Sequence, residues 1–134
     1  MKNSTIKAFE DLVIWQEARV LAKCVFLITS SDLFSRDIRF RSQLRAASGS
    51  IMDNIAEGFG REGTREFIQF LYMAKGSCSE VRSQSYRALD YKYISEGQQM
   101  DLLNKTQEIS QKTQALINYL KKVSHKGYKY HIKE

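Results

Sequence analysis

Gln43-Leu44-Arg45-Ala46-Ala47-Ser48-Gly49-Ser50-Ile51-Met52-Asp53-Asn54-Ile55-Ala56-Glu57-Gly58 is the stretch whose reading decides the fold. At about 100° per residue, Phe40, Leu44, Ala47, Ile51 and Ile55 make one apolar stripe of a helix. Gln43, Ser50, Asn54 and Glu57 fall within about 60° of one another as a second, polar stripe. The helix therefore has a core face and a narrow row of hydrogen-bonding residues where a Lys/Glu solvent face is usual. Such a row clamps a neighbouring helix or subunit, or touches a ligand.

The same period extends outward over the chain. Its 134 residues fit one domain over 1–134 and contain no proline, where average usage predicts about 6. Proline is the main helix breaker, so its absence favours long uninterrupted helices. Four are predicted: 9–28, 35–57, 64–91 and 95–122, followed by a basic tail at 124–134. The first is apolar nearly all round. Phe9, Leu12, Val13, Val20, Cys24, Leu27 and Ile28 are placed inward, and Trp15, Ala18, Ala22, Val25 and Phe26 lie on other sides. A helix of that kind is buried on more than one face, and in so small a domain the second cover comes from another chain.

Gly58 is read as a helix-ending residue at positive φ and Thr64 as the next N-cap. Phe67, Leu71, Ala74, Cys78, Val81, Ser85 and Ala88 form the third core stripe. Ser95 and Gln98 form a capping box, after which Leu102, Thr106, Ile109, Thr113, Leu116, Leu120 and Val123 point inward. The expected architecture is all-α, an up-and-down antiparallel four-helix bundle.

Net charge is +6, distributed unevenly. Segments 1–35 and 66–120 balance, 36–65 carries six arginines against four acids, and 121–134 carries five lysines against one glutamate. Localised excess of this kind is the footprint of a polyanion partner. No signal peptide or membrane-length apolar run is present, which points to the cytoplasm. Cys24 and Cys78 sit in apolar helical patterns and read as packed thiols rather than a disulfide.

Several motifs carry a family resemblance: Phe9-Glu10-Asp11-Leu12 with Trp15-Gln16, Gln43-Leu44-Arg45, Ser50-Ile51, Asn54-Ile55-Ala56-Glu57-Gly58, and Gly76-Ser77 with Glu80. Over roughly Phe9 to Lys122 the chain resembles the bacterial 23S rRNA intervening-sequence, or S23 ribosomal protein, family. That family is in turn similar to the accessory variability proteins of diversity-generating retroelements. Two departures stand out: Ala46 where a second basic residue is common, and Met52 where proline is common. The resemblance implies a bundle assembled as a homopentameric ring, with a basic surface and RNA association.

Candidate residues follow from chemistry. Gln43, Ser50, Asn54 and Glu57, with Ser77 and Glu80 of the third helix, form a polar set. It either faces a partner subunit or bonds within the bundle, to Ser77, Glu80 or Trp15. Arg36, Arg39, Arg41, Arg45, Arg61 and Arg65 are the nucleic-acid candidates, because arginine grips phosphate bidentately and stacks on bases. In the tail, Lys126 and Lys129 alternate with tyrosines, a composition suited to single-stranded RNA. No metal site is expected: Glu57 and Glu80 lack the histidines of a di-iron set, and His125 and His131 have no acids or cysteines at ligand spacing. Gly58-x-Gly60-x-x-Gly63 follows a helix rather than a strand and so is no dinucleotide loop. With no catalytic constellation and no cofactor implied, the expected function is non-enzymatic binding of structured RNA by a homo-oligomer. The alternative is a scaffold that recruits a partner protein, such as a reverse transcriptase or ribosome-associated factor, without touching RNA.

Overall fold

The computed structural model describes residues 4–123 and 131–132. Its elements are β1 (Ser4–Thr5), a 3-10 turn (Phe9–Asp11), α1 (Val13–Ile28), α2 (Asp32–Arg36), α3 (Ile38–Gly60), α4 (Thr64–Asp90), α5 (Glu96–Lys122) and β2 (His131–Ile132). The two short strands pair antiparallel, Ser4 opposite Ile132 and Thr5 opposite His131. Everything else of substance is helical. α1 packs on α3 and α5, α3 on α4, and α4 on α5. Cross-helix pairs show the directions: Arg87 bonds Gln43, Ser77 bonds Ser50, and Gly58 abuts Phe67. As α3 ascends, α4 descends.

The stripes of α4 and α5 lie where the period puts them. Phe67, Leu71, Ala74, Cys78, Val81, Ser85 and Ala88 are all buried, as are Leu102, Thr106, Ile109, Thr113, Leu116 and Leu120. The Gln98 amide donates to Ser95 Oγ at 3.1 Å, and the Ser95 amide donates to Gln98 Oε1 at 2.9 Å. This reciprocal box starts α5.

α1 differs from its expected form. It begins at Val13, after the 3-10 turn, and its buried face is Ile14, Ala18, Leu21 and Val25. Val20 and Leu27, expected inward, are 58% and 60% exposed. A helix apolar on several sides has no single phase, so periodicity could not choose between its faces.

The second predicted helix is two. Asp37 interrupts it with φ −86° and ψ 79°, and its carboxylate accepts from the Phe40 amide at 3.2 Å as the N-cap of α3. The break lets α2 fold back and bury Phe34. α3 then continues through Gly58 to Gly60, so Gly58 ends no helix. Its lack of a side chain serves packing instead: a Cβ there would lie 2.6 Å from Phe70 Cβ. Gly63, not Thr64, is the N-cap of α4, and Thr64 is buried in the first turn. α4 ends in a Schellman turn. The Tyr93 amide donates to Ala88 O and the Lys92 amide to Leu89 O, both at 2.9 Å, with Lys92 at φ 64°.

Candidate nucleic-acid interface

The polar row of α3 divides into three parts. At its centre, Asn54 Nδ2 donates to the Ser50 carbonyl and to Ser50 Oγ, each at 2.9 Å, and Ser77 Oγ donates to Ser50 Oγ at 3.0 Å. This small network joins α3 to α4, where half-buried polar atoms need partners. At one end, Arg87 Nη2 donates to Gln43 Oε1 at 3.1 Å while its guanidinium lies 4.1 Å from the Phe40 ring centre. At the other, Glu57 pairs with Arg61 at 2.8 Å, one turn along. Glu80 is exposed and, with Gln43, Ala46, Ala47, Ser50 and Gln84, lines a shallow polar groove of about 420 Å³. Trp15 is not part of this set. It packs edge-on against Phe9 at 5.1 Å, with Arg19 over its ring.

The six arginines do not form one patch. Arg36, Arg39, Arg41 and Arg45 sit near the start of α3, and Arg61 and Arg65 sit past its end. Along α3 the rise is about 24 Å from Arg45 to Arg61 and about 33 Å from Arg39 to Arg61. Their surroundings differ as well. Arg45 Nε donates to Thr29 Oγ1 at 2.8 Å and Nη2 donates to Ser30 Oγ at 3.0 Å, and the guanidinium lies 4.5 Å from the Phe26 ring centre. It clamps the C-terminal end of α1, where a cation suits the helix dipole. Arg41 donates to the Ser35 carbonyl at 3.1 Å. Arg61, besides its Glu57 partner, lies over Phe70 at 5.0 Å. Arg36, Arg39 and Arg65 are exposed and make no ion pair or hydrogen bond among the described residues. Lys126 and Lys129 lie outside the described residues.

Two lysines absent from that set, Lys75 of α4 and Lys121 of α5, converge on Tyr72. Lys121 belongs to the lysine-rich segment 121–134, whereas Lys75 lies in a charge-balanced stretch that carries no such signal.

The cysteines offer no reactive thiolate. Burial pushes the Cys78 thiol up to about 11, and burial followed by its hydrogen bond to Asp101 raises Cys24. Both are free thiols. Among the described residues, no group of three or more His, Cys, Asp or Glu side chains comes together, and no helix is long and apolar enough to cross a membrane.

Among curated proteins, none matches the chain. The family described as 23S rRNA-intervening sequence protein matches residues 10–115, which takes in α1 to α4 and α5 as far as Ala115. With all four long helices engaged by that match, the chain belongs to the 23S rRNA-intervening sequence protein family.

Proposed function

We propose that this protein is a non-catalytic, RNA-associated bundle of the cytoplasm that binds structured, ribosomal-type RNA through phosphate contacts. The observation that carries the reading is the family match over residues 10–115, whose description names an rRNA element. The net charge of +6 supports it, as do Arg36, Arg39 and Arg65, which are exposed and unpaired among the described residues. Arg45 and Arg61 contribute less in this reading, because each is already committed to neighbours within the bundle. Lys126 and Lys129 extend the same contacts from the tail.

A labelled rRNA hairpin titrated by fluorescence anisotropy tests this. The log of the affinity should fall linearly with the log of salt concentration, at a slope of about −0.9 per phosphate neutralised. Absence of binding at low salt overturns it.

Self-assembly, with a pentamer as the favoured state, belongs to the same proposal. Val20 and Leu27 occupy an outer face of α1 at one-heptad spacing, and Leu33 and Ile38 add exposed apolar area at the α2–α3 corner. Exposed apolar side chains grouped in this way favour a protein contact. Native mass spectrometry should give five times the 15.5 kDa chain mass. A monomer in the same spectrum would instead leave this face to a partner protein, which is the second reading.

A further inference from the structure

Arg82 of α4 is half-buried against α5 and makes no ion pair among the described residues. Its Nη1 donates to the Leu103 carbonyl at 2.8 Å and to Thr106 Oγ1 at 3.1 Å. Neither acceptor carries charge, and Nε and Nη2 have no hydrogen bond among the described residues. A guanidinium partly withdrawn from water without a counter-charge has its desolvation only partly repaid. Two turns earlier, about 10 Å along α4, Lys75 Nζ donates to Gln114 Oε1 at 2.5 Å and lies 5.9 Å from the Tyr72 ring centre. Lys75 likewise makes no ion pair among the described residues. These neutral partners order both cations without cancelling their charge, so less side-chain entropy is lost when an anion arrives. Burial raises the Cys78 thiol, and Arg82 and then Lys75 oppose that rise, so the positive potential of both reaches the helix between them.

The carboxylates of α4 and α5 lie elsewhere. Asp101 and Glu108 line a groove between α5 and α1, and Glu80 lines the groove between α4 and α3. Glu66 folds back toward Gly63 at the start of α4. Asp90 and Glu96 stand at the connection between the helices, Asp90 about 12 Å along α4 from Arg82. Between Arg82 and Lys75 the helical period places Ser79 on the α4 edge of the groove, and Gln107 and Ser110 on the α5 edge.

We infer that Arg82 and Lys75 form a two-point phosphate site along the α4–α5 groove, which receives the sugar–phosphate backbone of an RNA strand. The inference rests on the proposed RNA association and names a site for it. Arg82 supplies a fork that grips one phosphate through Nε and Nη2, and Lys75 supplies a point charge to a phosphate further along the strand. Phosphate contacts carry no base information, so the site is tolerant of sequence.

The test titrates the labelled hairpin with the full chain and its variants over a salt series. Lys75→Gln/Arg82→Gln should lose about tenfold in affinity at low salt, and its salt slope should shrink by about 2 units, one for each phosphate-contacting cation. Arg82→Lys keeps the charge but not the fork, so it should weaken binding while leaving the slope unchanged. Lys105→Gln, whose lysine is paired with Asp101 at 2.7 Å on the α1 side of α5, should match the wild type in slope. Thermal melts establish that each variant is folded. Should the double variant not fold, Lys75→Gln alone carries the test, with a slope smaller by about 1 unit. If the wild type binds and the folded variants keep its affinity and slope, the site is overturned while the RNA reading stands. If Lys105→Gln loses as much slope as Lys75→Gln, binding follows net charge rather than this groove, and the site is likewise overturned. If the wild type itself does not bind, the RNA reading falls and the site with it. Displacement of the hairpin by micromolar inorganic phosphate would mark a site for free phosphate and also overturn the inference.

Discussion

Phe34→Ala should destabilise the bundle by about 3–5 kcal/mol, the cost of emptying a fully enclosed aromatic site. Phe34 is the anchor of the five-residue α2 and is 0% exposed. Its ring lies 5.2 Å from that of Phe40 on α3 and 4.9 Å from that of Tyr93 in the α4–α5 connection. Tyr93 also donates its hydroxyl to Asp37 Oδ2 at 3.0 Å, so the same cluster holds the N-cap of α3. Removing the ring leaves a cavity that α2, too short to stand alone, cannot close. At about 3–4 °C per kcal/mol for a chain of this size, the melting temperature should fall by about 10–20 °C. Met100→Ala in α5, at a residue 53% exposed, should cost no more than about 0.5 kcal/mol. Circular-dichroism melts of the two variants decide the matter. Equal, small shifts would mean that Phe34 does not close this end of the bundle.

Gly58→Ala tests a close approach of two helices. Helix propensity alone predicts a gain of about 1 kcal/mol for alanine inside α3. The added Cβ, however, would lie 2.6 Å from Phe70 Cβ and 3.1 Å from Phe67 Cδ1. Phe70 Cβ cannot rotate out of the way, because it is fixed to its backbone, so α3 and α4 must separate. Overpacking of this kind costs about 1–3 kcal/mol and reverses the sign expected from propensity. Gly49→Ala, in the same helix, meets nothing within 4 Å and should gain about 0.5–1 kcal/mol. Urea titration of both variants gives the comparison. A stabilised Gly58→Ala would show that the α3–α4 contact relaxes freely.

The bundle was largely legible because helices are local. Caps and periodicity act over four to seven residues, and α4 and α5 each carry one clear apolar stripe, so their buried faces could be read directly. α1 defeated the same method because it has apolar residues on several sides, and only packing against α3 and α5 selects Ile14, Ala18, Leu21 and Val25. Asp37 has the side chain of an N-cap, but nothing local says that the chain must turn there. The turn follows from the need to bury Phe34 against Phe40 and Tyr93. The candidate sites were less legible still. Arg45 and Arg36 look alike as charges along the chain, yet one is committed to Thr29, Ser30 and Phe26 and the other makes no ion pair or side-chain hydrogen bond among the described residues.

By itself, then, the sequence determined an all-helical chain, its four long helices, the core stripes of α4 and α5, the Ser95–Gln98 cap and the excess of positive charge. Each depends on residue types within a few positions of one another. Tertiary structure decided which face of α1 is core, that Gly58 makes room for Phe70 rather than ending a helix, and that Lys75 and Lys121 meet at Tyr72 across 49 residues of sequence. Those outcomes depend on distances between segments remote in the chain, which are set only when the helices pack.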